Sequence, residues 1–283
     1  MLVFGLVLVL LLVLTFTLAL ASTPRADQEY QGHPSAAERE LLASLLERTR
    51  SGPDPQPPQP SVEILSFLHS DLGAPQPLHI SLSRPIVLST AQKDGFLESL
   101  VADVTASGVR PFDLAPRALA WHRTPESARS FLVLRVTGAR SAATATATTT
   151  KNHQDSEPER STNPELAELL RRCNRLVEGH GQPPLYTPRA LKRGLDGGGG
   201  GDNTSSSSSS LDDAFHVSVA WSFADVDAGL RARTEEAFAS DPALRRAILD
   251  TRIRVDGIKA KIGNVVTHVV LPGRGGGAGA GSV

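Results

Sequence analysis

Cysteine is almost missing from this chain of 283 residues: Cys173 stands alone. A single thiol excludes an internal disulfide framework and any cysteine-based zinc site. Its setting, "ELLRRCNRLVE", reads as a small buried residue on a helix. An excess of charge is missing too. Lys and Arg number 29 against 30 Asp and Glu, a formal net charge of −1, so no global positive field recruits nucleic acid, and RNA binding requires a local patch. No cluster with metal-ligand spacing is present, and neither a metal nor a cofactor is expected. Charged side chains are also absent from the first 21 residues, "MLVFGLVLVLLLVLTFTLALA", which close on the small-x-small pattern Ala19-Leu20-Ala21. The run is long enough to span a bilayer as a helix and reads as a signal peptide or anchor, although the positive n-region is missing.

What is present falls into segments. Residues 1–21 are the apolar leader, or a mis-assigned start. Residues 22–60 carry a helix, "SAAERELLASLLERTR", with Ser35 at the cap and Glu38 at the capping-box position, followed by the proline-rich spacer "SGPDPQPPQP". A first lobe is expected over 61–138 and a second over 164–271. Between them lies a low-complexity insertion at 139–163. A Gly/Ser insertion at about 194–212 interrupts the second lobe, and a Gly-rich tail occupies 272–283. The first block reads strand ("LHISLS"), helix ("TAQKDGFLESLVADVTAS"), then two strands ("FDLAPRALAWH", "RSFLVLRV"). The second offers "FHVSVAW", the helical "DVDAGLRARTEEAFAS", a short helix from Pro242, and strands "TRIRVDGIKAKI" and "VVTHVVL" joined by Gly263-Asn264, a dipeptide suited to a tight hairpin.

Within these blocks one pattern recurs. "LHISLS" overlays "FHVSVA" position by position, so His79 and Ser81, like His216 and Ser218, share one face of an extended segment while their apolar neighbours take the other. His33-Pro34-Ser35 and His122-Arg123-Thr124 also fit H-x-[ST], but neither is flanked by apolar residues on both sides. The tripeptide alone is weak; embedded twice at equivalent points of an internal repeat, it is strong. Two imidazoles and two hydroxyls on one cleft suit metal-free phosphodiester cleavage. An imidazole titrates near ~6.5, so one ring can accept a proton from the attacking oxygen while the other gives one to the leaving oxygen. The serine hydroxyls can donate to the non-bridging phosphate oxygens.

These residues resemble the 2H phosphoesterases, and among them the family of U6 small nuclear RNA phosphodiesterases. "LHISLSRPIVL", "RSFLVLRV", "GQPPLY", "FHVSVAW" and "IKAKIGNVV" carry the likeness, from residue 78 to about 271. The resemblance implies an α+β fold of two pseudo-symmetric lobes, with antiparallel strands flanked by helices and the two histidine strands facing a central groove. It implies a metal-independent 3′-to-5′ exoribonuclease that trims the uridine-rich 3′ end of U6 small nuclear RNA. The RNA's own 2′-hydroxyl attacks, a lyase-like step that leaves a 2′,3′-cyclic phosphate, which some fungal relatives open to a monophosphate. By the same likeness His216 is the base, His79 the acid, Ser81 and Ser218 bind phosphate, and Tyr186 packs on the terminal nucleobase. The implied partner is RNA rather than DNA, the implied state a monomer, and the implied location the nucleus, in support of splicing. A phosphodiesterase for small cyclic nucleotides and a non-catalytic RNA-binding scaffold are the rival readings.

The chain departs from the family at its start. The family's P-H-x-x-G-N-W stretch and edge strand are replaced by the apolar run and "STPRADQEYQGHPSAAE". We expect residues 1–30 to contact the lobes little and the native transcript to begin differently. A genuine leader, with glycosylation at the sequon Asn203-Thr204-Ser205, would instead place the protein in the secretory pathway or on a membrane. Arg129 is read as an exposed strand-start residue, with phosphate contact as the alternative; Lys259 and Lys261 form an outward face that either lines an RNA path or is simply solvated; Trp121 and Trp221 are read as lobe packing and His268 as a structural histidine.

Overall fold

The computed structural model describes residues 7–11, 17–18, 33–51, 62–123, 128–139, 162–186 and 211–273. The expected cleavage site after Ala21, the sequon at Asn203, the proline spacer and most of both insertions and the tail lie outside them.

Five α-helices are found among the described residues: α1 (Ala36–Ser51), α2 (Lys93–Ala106), α3 (Pro164–Gly179), α4 (Ala228–Ala239) and α5 (Pro242–Asp250). Their starts follow local chemistry. At α1 the Ser35 amide donates to Glu38 Oε2 (2.7 Å) while Ser35 Oγ accepts from the Glu38 amide (3.2 Å), the reciprocal box read from the sequence. Asp227 and Asp241 accept from the first-turn amides of α4 and α5, and Pro164 and Pro242 occupy positions where a missing N–H costs nothing. The apolar stripe of α3 buries Leu166, Leu169, Leu170, Cys173, Leu176 and Val177. Its Arg172 reaches across to donate to the Asp103 and Ala106 carbonyls at the end of α2, both at 2.9 Å.

The strands are β1 (Val7–Leu11), β2 (Thr17–Leu18), β3 (Leu65–Ser66), β4 (Pro85–Ser89), β5 (Phe112–Arg123), β6 (Ser130–Gly138), β7 (His216–Ser222), β8 (Ile253–Val255), β9 (Gly257–Ile262) and β10 (Val265–Val270). They form a four-stranded sheet, β10-β9-β1-β4, and a six-stranded sheet, β2-β8-β5-β6-β7-β3, with every pairing antiparallel. Each sheet draws strands from both sequence blocks. α2 packs on α3 and reaches β10, while α4 and α5 pack on β5 and against α1, so helices flank the antiparallel sheets in an α+β fold. The β9–β10 hairpin turns at Gly263, whose φ of 60° suits the first central position of a type II′ turn. A buried hydrogen bond from Trp121 Nε1 to Thr234 Oγ1 (2.8 Å) ties β5 to α4.

Two expectations are corrected here. Leu78–Ser83 belongs to no strand and lies between β3 and β4. Its two faces persist nonetheless: Leu78, Ile80 and Leu82 are 2%, 0% and 0% exposed while His79 and Ser81 are half-buried. Alternation fixes faces, but a ladder also requires donors and a partner, and Pro75, Pro77 and Pro85 remove donors on both flanks. The second correction concerns the N-terminus. The apolar run does contact the fold: β1 pairs with β4 from Val7↔Ser89 to Leu11↔Pro85 and with β9 at Leu10↔Ile262, and β2 pairs with β8. No described helix is long and apolar enough to cross a membrane.

Candidate active site

His216 opens β7 and pairs with Arg135 on β6; Ser218 pairs with Val133. The two-residue period puts His216, Ser218, Val133 and Arg135 on one face of the six-stranded sheet. The other face of β7 is core, where Val217 and Val219 are buried beside Leu132 and Leu134. Leu78, which precedes His79, lines the same internal cavity of about 20 Å³ as Val217 and Leu134. The apolar residues beside the two histidines therefore anchor in one place, and His79 is close enough for its charge to act on His216.

The chemistry of His216 is set by its neighbours. Nδ1 lies 2.6 Å from the Ala214 carbonyl, which can only accept, so Nδ1 carries the proton and Nε2 presents a lone pair. Burial pushes the imidazole down to about 4, and positive charge on His122, Arg135 and His79 acts in the same direction, while the Ala214 hydrogen bond opposes it. Burial also lowers His79, and burial together with Arg135 lowers His122. Arg135 itself is shared with Asp213, whose Oδ1 is 3.3 Å from its guanidinium and also pairs with Arg117.

His122 enters as a third histidine. Its ring centroid lies 5.1 Å from that of His216, at an interplanar angle of 42°. The sequence pattern sets it aside because its flanks are not apolar on both sides. The usable signal is the alternation Ala118, Ala120, His122 on one face of a long strand, together with a β5–β6–β7 order that sequence period does not specify. Tyr186 stands at the end of "GQPPLY" with φ +54°, the one positive φ among the described non-glycine residues, and its ring meets Phe215 edge-on at 6.2 Å. Burial raises its hydroxyl above the ordinary tyrosine range. Cys173 is buried in α3 and its thiol is pushed up to about 12, which makes it inert. Lys259 and Lys261 lie on β9 and His268 on β10, with His268 Nε2 3.4 Å from Asp256 Oδ1. Among the described residues no group of three or more His, Cys, Asp or Glu side chains is placed to hold a metal ion.

Comparison with known proteins agrees with this architecture. U6 snRNA phosphodiesterase 1 of Neurospora crassa is 34% identical over 256 residues, covering 86% of this chain and 62% of that protein, so the chain spans less than two thirds of that relative's length. Two solved structures share the fold. Kluyveromyces marxianus Usb1 with uridine monophosphate superposes with a TM-score of 0.53 at 15% identity, covering 94% of this chain and 98% of that one. The structure described as Kluyveromyces marxianus Usb1 gives 0.52 at the same identity and coverage. A family model, HVSL, described as an uncharacterised conserved protein, matches residues 31–270. The chain belongs to the HVSL family.

Proposed function

We propose that this chain is a metal-independent 3′-to-5′ RNA exonuclease acting on uridine-rich ends. What supports the reading is that Leu78 and Val217, the core-side neighbours of His79 and His216, line one cavity and that the charge of His79 acts on His216. His216, with Nε2 unprotonated, takes the proton of the RNA 2′-hydroxyl; that oxygen attacks the adjacent phosphorus; the P–O5′ bond breaks, and His79 protonates the departing 5′-oxygen. Ser81 and Ser218 donate to the non-bridging oxygens, and Tyr186 packs on the terminal base. The product end is a 2′,3′-cyclic phosphate, or a 3′-phosphate where the ring is opened. The name of the Neurospora crassa relative supports U6 small nuclear RNA as the substrate, and with it action in the nucleus.

The test is the full chain incubated with oligouridine-tailed RNA in EDTA. Shortening by single nucleotides is expected, with loss of at least ~10²-fold in His79→Ala and in His216→Ala. Turnover of cyclic nucleotides alone would replace this reading with a small-substrate phosphodiesterase, and binding without cleavage would replace it with a scaffold.

A further inference from the structure

The face that carries His216 and Ser218 does not end at the site. The β-bulge between Leu132 and Val133 leaves Val219 and Ala220 both buried and so reverses the alternation, and beyond it the half-exposed side of β7 continues to Trp221 and on to Phe223; across the ladder Trp221 pairs with Phe131. Trp221 and Phe223 meet edge-on at 4.9 Å, Phe131 stacks on Phe67 at 6.3 Å and 10°, and Phe223 is 62% exposed. The Arg129 guanidinium lies 4.1 Å from the Trp221 ring centroid and 5.7 Å from that of Phe223. An arginine layered over two rings at a sheet end presents a guanidinium plane and aromatic planes side by side at the surface. An RNA strand suits such a surface, because bases stack on aromatic and guanidinium planes without regard to sequence, and the charge meets phosphate.

His122 links this patch to the catalytic face. Its backbone stands opposite Phe131 on β6 while its ring reaches His216. Trp221 lies five residues beyond His216, roughly 16 Å along an extended strand, a distance spanned by a few nucleotides. We propose that Arg129, Trp221, Phe223 and Phe131 form a stacking track for the single-stranded RNA nucleotides 5′ of the scissile phosphate. The proposal rests on the exonuclease reading for its direction, but not for its ligand. Terminal-nucleotide contacts fix where cleavage falls; the track holds the strand between successive cuts and makes longer RNA the better substrate. Arg123, paired with Asp225 at the same end of the sheet, marks the polar rim.

The experiment measures binding apart from cleavage. A 5′-fluorescein hexamer of 2′-O-methyluridine lacks the attacking hydroxyl, so its Kd for the full chain can be read by anisotropy. The double variant Arg129→Gln/Phe223→Ala, whose residues are both exposed, should weaken that Kd about tenfold or more, since each base stack is worth ~1–3 kcal/mol. With ordinary uridine substrates, the ratio of kcat/KM for the hexamer over the dinucleotide should fall by a similar factor. An unchanged hexamer Kd at an unchanged melting temperature overturns the track and leaves the patch as a protein-docking surface. Should the wild-type chain bind the hexamer, lose it in the variant and yet cleave nothing, the track stands and the exonuclease reading falls.

Discussion

At the scale of the residue, the unusual feature is an active-site candidate whose histidines are all biased toward neutrality. An imidazole held at about 4 is deprotonated at every working pH, which suits a base; an acid at His79 then limits the rate as the pH rises. We therefore expect kcat/KM on oligouridylate to climb as pH falls from 8 to 6 and to decline only near His216's own titration. His79, His122 and Arg135 push His216 down, and Asp213 moderates Arg135. Replacing His122 by Asn removes one of those charges, so the His216 ring resonances should titrate at higher pH; an unmoved titration would show that the 5.1 Å contact carries no coupling. Stability follows with a definite sign. The folded value lies below the unfolded ~6.5, so the contribution is intact above pH 6.5 and is lost as the pH falls toward 4. The two H-x-S pairs were legible because apolar flanks fix their faces. His122 was not, because its relation to His216 comes from strand order and from a bulge in the β6–β7 ladder between Leu132 and Val133.

At the scale of the element, helices were legible and ladders only partly so. Ser35 and Glu38, the spacing of α3 and the Gly263 turn are local signals, and local chemistry realises them. Leu78–Ser83 shows the limit: its alternation is real, yet among the described residues no partner strand runs beside it. Gly257, at the start of β9, shows another, since nothing in "VDGIKAKI" says why a glycine stands there. A Cβ at that position would fall 2.2 Å from His268 Nε2 and 2.6 Å from the Val269 carbonyl oxygen. The imidazole could swing aside at the expense of Asp256, but the carbonyl belongs to the β10 backbone. Gly257→Ala should therefore pry β9 from β10 and cost about 1–3 kcal/mol in a denaturant melt. Adding His268→Ala should recover only part of the loss; full recovery would place the whole conflict on the ring and spare the ladder.

At the scale of the whole molecule, the N-terminal run changes meaning. Read as composition, 21 uncharged residues look like a leader, because an apolar run without alternation carries no sign of the strand it becomes. In the fold its residues 7–11 lie between β4 and β9, two strands that do not pair with each other. A chain beginning at residue 22 would split that sheet into the β9–β10 hairpin and an unpaired β4. Isolated hairpins are marginal in water, and an open strand edge invites association. β4 also follows directly on the segment that carries His79 and Ser81, so its loosening reaches the site through Leu82 and Ile86, both fully buried. The 22–283 chain should melt at least roughly 10 °C below the full chain, show concentration-dependent aggregation, and lose cleavage of oligouridylate in step with its folded fraction. Equal melting temperatures would mean that β1 adds nothing to the sheet, and that removal after Ala21 is compatible with a working enzyme. A large gap would mean that any processing there must be compensated by another strand between β4 and β9.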